Sequence, residues 1–364
     1  MKTKEYIGIL LGGIYGIVYR LLCENNDNQI FDFNIFSISF IWILPIVIGV
    51  LPILIANKEI QNSKSKQVLY PIASVLLFFI ITLATRLEDL VCILILTLPF
   101  IMVAGISGLI VGEILKRSKS NKLFSIVLLP FLIMPLESKL SDAKKVYQVE
   151  TKIIIEASKE KVWDHLIEVP EISEAEYEYG FYNYIGIPRP VKSELQVIEG
   201  EQYRIGYFTD HLQLVEKISQ IDTLNFVEFE IVLEKSVLRD LPTDKHILQS
   251  SYFKFDKISY ELVVIDANNI ELRLDCKYSI DSKMNWYANF WAEKIIRDFE
   301  IKLLNVLKTK IENEKIIEKK KIFSSPNNPK SQINSIRLHP PFLRHRMLPM
   351  MLHSPFHDQQ RTML

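Results

Sequence analysis

Residues 149–168, VETKIIIEASKEKVWDHLIE, mark the point where the character of this chain changes. The stretch begins with a strand-like segment that carries three consecutive isoleucines. Ser158 is a residue type that caps helix N-termini. After it, apolar residues from Val162 to Ile167 recur at helical spacing. His165 falls on the polar side of this helix, so we expect it to be exposed to solvent. A strand followed by a capped helix therefore opens a folded domain here, with a very different region on its N-terminal side.

That N-terminal region consists mainly of apolar runs. Four of them occupy residues 7–23, 35–56, 68–85 and 90–115, and a shorter fifth run occupies residues 123–136. A helix that crosses a bilayer needs about 20 apolar residues, and these runs lack the polar face of a soluble core helix. The sequence predicts an α-helical multi-pass membrane domain of four or five helices over residues 1–136, and hence a location in the cell membrane.

The basic residues between the runs predict the orientation of the helices. Lys2, Lys4, the lysines of residues 58–66 and the basic group at residues 116–122 mark cytoplasmic ends. The acidic residues between runs one and two fit the opposite side. If the fifth run crosses the membrane, the following domain is extracytoplasmic, and otherwise it is cytoplasmic. Five crossings are favoured, and both arrangements stay open.

The chain after residue 200 alternates apolar and polar residues, as strands with one buried face do. Residues 270–280 show the clearest alternation, and residues 266–269, DANN, predict a hairpin turn before them. A long amphipathic helix over about residues 284–314 closes the domain. A curved antiparallel sheet around that helix leaves a cavity between the two.

The predicted domain borders follow from these patterns. Residues 137–148 form a short tether, and residues 149–314 form an α+β domain with a curved antiparallel sheet around its C-terminal helix. Residues 315–364 begin with lysines and continue with prolines and histidines but no periodicity, which predicts a disordered tail. The short tether predicts a cavity close to the membrane surface.

Composition and motifs exclude several classes of function. The chain has 43 basic and 43 acidic residues, so no global charge favours nucleic acid. Its three cysteines are far apart and form no metal-binding pair. The loop with Asp240, Asp244 and His246 has a spacing too common to predict a metal site. No phosphate-binding or nucleophile motif is present. We predict no cofactor and no metal, and catalysis stays undecided.

The order of elements resembles the START-like superfamily, also called SRPBCC or polyketide cyclase/dehydrase-type helix-grip domains. GIPRPVKSEL at residues 186–195 and GEQYRIGYFTDHLQLVEKIS at residues 200–219 resemble a membrane-tethered bacterial branch of it. The matching positions are Gly186, Ile187, Pro188, Gly200, Arg204, Phe208, Glu216 and Ile218. Gln202 and Asp210 depart from glycines that are frequent in that branch. The resemblance covers about residues 148–313 and implies a cavity for apolar small molecules or lipids, with some members acting as cyclases, hydrolases or dehydratases.

Several polar and aromatic residues of this domain are candidates for contacting such a ligand. They are Tyr203, Arg204, Tyr207, Glu216, Arg273, Tyr278 and Phe290. For Arg204, a cross-strand ion pair with Glu216 is favoured over a role as a pocket-facing anion holder. Tyr278 lies on the apolar face of its strand, either in the core or in the cavity wall.

Three functions remain open at this stage. The first is a membrane-anchored module that binds an apolar or amphipathic small molecule or a lipid. The second is an enzyme of the cyclase or hydratase type, in which Arg204, Glu216 or a tyrosine polarises a carbonyl group. The third is a structural or sensory protein whose domain meets an unknown protein partner. Membrane lipids are the expected partners, and nucleic acid is not.

Overall fold

The computed structural model describes residues 2–24, 35–117, 121–137 and 144–324. Residues 1–313 form one compact unit, and beyond them the description covers only the end of the last helix. Within the unit, an N-terminal helical bundle is followed by a mixed domain, which we call the grip domain (residues 145–313). Most of the tail predicted at residues 315–364 lies outside the described residues.

In the part of the chain that the structure describes, the bundle contains six α-helices. They are α1 (Lys2–Glu24), α2 (Leu44–Ile55, preceded by a π-helical turn Ser39–Ile43), α3 (Lys58–Asn62), α4 (Lys64–Ala84), α5 (Leu90–Arg117) and α6 (Leu129–Glu137, preceded by a 3-10 segment Asn121–Leu128). Among the described residues, α1, α4 and α5 are long and apolar enough to cross a membrane. The apolar segments Ser39–Ile55 and Ser125–Glu137 are shorter. All five apolar runs are therefore helical, although the second gives a shorter helix than the run itself.

Close helix packing holds the bundle together. A Cβ atom on Gly49 of α2 would lie 2.5 Å from the carbonyl oxygen of Ala104 on α5, so only glycine permits this approach. Aromatic rings fill the centre, where Phe78 and Phe100 stack with their centroids 5.8 Å apart. At the end of α6, the Glu137 carboxylate accepts hydrogen bonds from the backbone N–H groups of Ile38 and Ser39. The end of α6 thus lies beside the segment that starts α2.

The grip domain contains one antiparallel sheet of seven strands in the order β1-β7-β6-β5-β4-β3-β2. The strands are β1 (Lys145–Ile155), β2 (Pro190–Ile198), β3 (Glu201–Phe208), β4 (Gln213–Asp222), β5 (Phe226–Ile231), β6 (Phe253–Val264) and β7 (Ile270–Ile280). The helices are α7 (Lys159–Ile167), α8 (Phe181–Tyr184) and α9 (Asn285–Ser324). Leu303, Leu304 and Leu307 of α9 are buried in one core with residues of β5, β6 and β7. This is the sheet around a C-terminal helix that the sequence predicted.

The opening stretch folds as its residues indicate. Ser158 caps α7 by accepting a hydrogen bond from the backbone N–H of Lys161. Val162, Trp163 and Leu166 are buried in the core beneath the sheet. His165, expected at the solvent-exposed side, is 8% exposed, and its Nδ1 lies 2.9 Å from the carbonyl oxygen of Lys161. That expectation was wrong because α7 is covered on more than its apolar stripe.

Several predicted borders shift in the structure. The strand expected from residue 149 begins at Lys145, inside the predicted tether, since its first residues pair with the end of β7. The segments 251–255 and 259–265 form one strand, β6, with a register shift between Phe255 and Lys257. No helix forms over residues 171–179, and β2 was missed because Pro188 and Pro190 at its start indicate a loop.

The grip domain packs directly on one end of the bundle. Met284, just before α9, is buried among bundle residues, and the indole N–H of Trp42 lies 2.9 Å from its sulfur. The hydroxyl of Tyr287 donates to the carbonyl oxygen of Ile95 in α5. The backbone N–H of Thr243 donates to Asp89 Oδ2 at 2.9 Å. The two regions are thus joined through their side chains as well as through the chain.

Candidate functional site

A cavity of about 350 Å³ lies between the sheet, α9 and the adjoining end of the bundle. This volume falls within the range of small-molecule sites, roughly 300–1,000 Å³. Its wall is almost entirely apolar. The bundle contributes Ile35, Phe36, Ile41, Glu88, Val91, Cys92, Ile95 and Leu96, and the grip domain contributes the rest. The site therefore belongs to both regions and is incomplete in either one alone.

Helix α9 forms one long side of the cavity. Its lining residues recur every three or four positions from Tyr287 through Trp291 and Ile295 to Phe299 and Leu303. This is the face that an amphipathic helix turns inward. Because an α-helix rises 1.5 Å per residue, the 13 steps from Tyr287 to Glu300 cover about 20 Å. The cavity is therefore elongated, with one end at the bundle and the other at Glu300.

A buried ion pair lies at the end of the cavity inside the grip domain. Arg204 of β3 and Glu216 of β4 are paired in register, and Arg204 Nη1 donates to Glu216 Oε2. Arg204 Nε also donates to Ser193 Oγ at 3.1 Å, and the guanidinium lies 4.9 Å from the ring centroid of Phe229. Both charged side chains line the cavity. The guanidinium is already held by the carboxylate, so it is not a free anion-binding group.

Glu300 of α9 adds a carboxyl group to the same end. It is 2% exposed and lines the cavity. Thr151 of β1 donates to Oε2 at 2.6 Å, whereas Oε1 has no hydrogen-bond partner. Burial raises the pKa of Glu300 to about 8, so the group is mostly protonated at neutral pH. Burial likewise raises the pKa of nearby Tyr260 to about 12. This end of the cavity can thus donate hydrogen bonds without net charge.

A second polar cluster joins the bundle to the grip domain at the other end. Arg20 Nε of α1 donates to Oε1 of Glu88, in the turn before α5, at 2.5 Å. Arg20 Nη2 lies 3.1 Å from His246 Nε2. Because a guanidinium only donates, Nε2 accepts and the ring proton resides on Nδ1, which lies 3.6 Å from Glu88 Oε2. Burial, aided by Arg20, lowers the pKa of His246 to about 4, so the ring is neutral.

Arg20 lies near the end of α1, a position from which a long side chain can reach solvent, but here it does not. The side chain is 1% exposed. It turns towards Glu88 because the grip domain covers this end of the bundle and leaves no solvent for the guanidinium.

Glu88, Cys92 and His246 are the one group among the described residues whose side chains lie close enough to share a metal ion. Their ligand atoms lie within 4.8 Å of one another. The Arg20 cation is in contact with two of the three, and it requires that His246 keep its proton on Nδ1. The arrangement therefore fits an ion-paired junction better than a metal site.

The structure separates the seven candidate residues into two sets. Arg204, Tyr207 and Glu216 line the cavity. Tyr278 is buried next to it, and its hydroxyl donates to Asn289 Oδ1 at 2.9 Å, so its contacts are those of a core residue. Tyr203 lies in a separate cluster on the other side of the sheet, with Ile205 and Val215.

The remaining two candidates point away from the cavity. Arg273 forms ion pairs with Glu261 and Glu271 at the surface of the sheet. Phe290 is 48% exposed, because it lies on the outer side of α9. Neither side chain is part of the cavity wall.

Sequence reasoning missed the polar residues that matter most to the cavity. Glu300 lies within the apolar stripe of α9, and a single acidic residue at such a position is a signal that was available. Glu88 and Arg239 gave no local signal, because they meet the cavity only through long-range packing. Ile187 and Pro188, two of the positions that carry the resemblance, do line the cavity.

Comparisons with known proteins return structural similarities at low identity. No family model matches the chain, and no curated protein matches it. An uncharacterised protein from Bacillus thuringiensis is 12% identical, with 45% of this chain and 98% of that one covered and a TM-score of 0.30. The Zhui aromatase/cyclase from Streptomyces is 12% identical, with 46% and 94% covered and a TM-score of 0.30.

Norcoclaurine synthase from Thalictrum flavum is also 12% identical, with 49% of this chain and 99% of that one covered and a TM-score of 0.29. At these values the similarities carry no argument about activity. The description of the fold rests on the strand order and on α9.

Proposed function

We propose that this chain is a membrane-anchored binding protein, whose grip domain holds an apolar or amphipathic small molecule or lipid beside the bilayer. One observation carries the proposal: the cavity is lined jointly by the grip domain and by the first two turns of α5, a helix apolar enough to cross a membrane. A molecule in this cavity touches protein that is continuous with the membrane-facing bundle. A purely structural or sensory role would favour a grip domain whose core is filled. The presence of a cavity favours ligand binding over that role.

Extraction of lipids from purified full-length protein, followed by mass spectrometry, tests this proposal. We expect a defined apolar or amphipathic molecule, enriched over the bulk lipid of the same membranes. The variant Ala292→Phe places a ring in the cavity, since Ala292 lines it, and should deplete that molecule several-fold. Ile301→Phe is the matched control, because Ile301 lies on the exposed side of the same helix. Equal retention in both variants, together with a bulk lipid profile, would refute ligand binding.

The membrane arrangement that we propose has five crossings and an extracytoplasmic grip domain. The supporting observation is that the end of α1 at Arg20, the turn at Glu88 and the end of α6 at Glu137 all lie at the bundle end nearest the grip domain. Lys64, at the start of α4, then marks the other end, which the positive-inside rule assigns to the cytoplasm.

Reporter fusions determine the side of the membrane directly. A reporter that is active only in the cytoplasm, fused after Val149, should be inactive, while the same reporter fused after Arg117 should be active. Activity at both positions would rule out the five-crossing arrangement.

Catalysis of the cyclase or hydratase type is the second candidate, favoured by one specific observation. Glu300 lines the cavity and has a pKa of about 8, close to the value that suits a general acid at neutral pH. If the protein is an enzyme, the recovered molecule should be converted on prolonged incubation with wild type and not with Glu300→Gln. An unchanged molecule in both incubations argues for binding alone.

A further inference from the structure

The charges in the cavity wall compensate one another. Apart from Glu300, the charged lining residues in the part of the chain that the structure describes all lie in ion pairs. These pairs are Arg204 with Glu216, Arg239 with Asp244, Glu88 with Arg20, and Lys192 with Glu194. An ionic head group brought into this wall would find no unpaired counter-charge, and burying an unpaired charge is costly.

The polar atom offered to a ligand belongs to Glu300. Glu300 lines the cavity, and its Oε1 is buried and has no hydrogen-bond partner. The titratable and charged groups that act on it are Glu150 of β1, Asp275 of β7 and Arg297 of α9, and their effects partly cancel. Tyr260 of β6 and Cys276 of β7 face it as neutral groups. A protonated carboxyl group here donates a hydrogen bond to a carbonyl, ether or hydroxyl oxygen.

The shape of the cavity restricts the rest of the molecule. The cavity has a volume of about 350 Å³ and extends along about 20 Å of α9, so it is narrow. Its far end is formed by Val91, Cys92, Ile95 and Leu96, which lie on one side of α5. The Glu300 end and the apolar side of α5 are therefore connected by an apolar path with room for one chain.

On this basis we propose that the cavity selects a single-chain amphiphile with an uncharged, oxygen-containing head group. The head lies against Glu300 and the Arg204–Glu216 pair, and the chain extends towards α5. This assignment rests on the proposed binding function, and it adds the head-group charge and the orientation of the ligand.

Two probes with the same chain test the head-group charge. Full-length protein in detergent micelles is incubated with dodecanoylglycerol or with dodecanoate at pH 7, and the bound probe is counted by native mass spectrometry. We expect the neutral probe to bind about ten-fold more tightly than dodecanoate, because the carboxylate of dodecanoate would be buried without a counter-charge. Equal or tighter binding of dodecanoate overturns the head-group assignment while leaving ligand binding intact. Binding of neither probe refutes the binding function as well.

Two substitutions sharpen this test. Glu216→Gln leaves Arg204 without its counter-charge and should shift the preference several-fold towards dodecanoate. Glu300→Gln keeps a hydrogen-bond donor at the same place and should keep the neutral preference. We expect wild type to lose neutral-probe binding above pH 8, where Glu300 ionises, and Glu300→Gln to retain it. If Glu216→Gln keeps its thermal stability and still prefers dodecanoylglycerol over dodecanoate as strongly as wild type does, the assignment is contradicted.

Discussion

Two buried arginine–glutamate pairs lie at opposite ends of the cavity, and they are built in different ways. Arg204 and Glu216 face each other on adjacent strands, 12 residues apart in the chain. Arg20 and Glu88 are 68 residues apart and lie on two bundle segments, and their third member, His246, comes from the grip domain. The first pair depends on the register of one sheet, whereas the second depends on how two regions of the molecule pack together.

This contrast separates contacts that form within one sheet from contacts that require two regions of the molecule to pack together. A sheet register brings Arg204 to Glu216 whenever β3 and β4 pair. The Arg20 cluster is complete only when the grip domain covers the bundle end, because His246 comes from the grip domain. The cluster therefore contributes to the contact between the two regions.

The largest effect is expected from Arg204→Ala. The substitution leaves the Glu216 carboxylate buried without a counter-charge, and breaking such a pair costs about 3–5 kcal/mol of folding free energy. Chemical unfolding of the full-length protein in micelles measures the loss. The double variant Arg204→Met with Glu216→Leu is the control, and it should lose less because no lone charge remains. A loss below about 1 kcal/mol in Arg204→Ala would mean that the pair behaves like an exposed one.

Arg20→Ala should have a smaller effect, of about 1–3 kcal/mol, because Glu88 can take up a proton and then loses only a hydrogen-bond partner. Burial already raises the pKa of Glu88, with Arg20 opposing it. Hydrogen exchange should increase at residues 243–248 more than in the sheet, since the junction loosens first.

Lys66→Ala provides the matched control for Arg20→Ala, because it removes an exposed pair with Glu59 far from the grip domain. Equal exchange at residues 243–248 in both variants would show that the Arg20 cluster does not hold the junction.

Glu300 should make stability depend on pH with a slope of about 1.4 kcal/mol per pH unit. Its pKa is raised from 4.5 to about 8 in the folded protein, so the folded state binds the extra proton between these values. Stability is therefore fully present below pH 4.5, falls as the pH rises and levels off above pH 8. The difference between wild type and Glu300→Gln in unfolding experiments at pH 6, 7 and 8 isolates this group. A constant difference across the series would contradict the raised pKa.

The smallest effect is expected from Arg273→Ala, at most about 1 kcal/mol, because its ion pairs are at the surface. Ligand retention, measured in the lipid extract, should equal that of wild type since Arg273 lies outside the cavity wall. Reduced retention with normal stability would restore Arg273 as a site residue and would challenge the position of the cavity.

Local patterns were sufficient for much of the fold. Alternation in β7, the hairpin turn at Asp266 and the cap at Ser158 each depend on neighbouring residues, and the structure has all three. The pairing of Arg204 with Glu216 followed from the order of two strands. The same reasoning missed β2, although Val191, Leu195 and Val197 alternate with Lys192, Glu194 and Gln196, because the prolines at its start indicate a loop.

The sequence alone determined the apolar bundle, the antiparallel sheet and the closing helix, because hydrophobic periodicity acts over a few residues. Only the tertiary structure decided which side chains meet at the cavity. Glu300 became a buried acid, Arg273 and Phe290 became surface residues, and Arg20 found His246 at a separation of 226 residues. These outcomes depend on the curvature of the sheet and on its packing against the bundle, and no local pattern encodes contacts between segments that far apart.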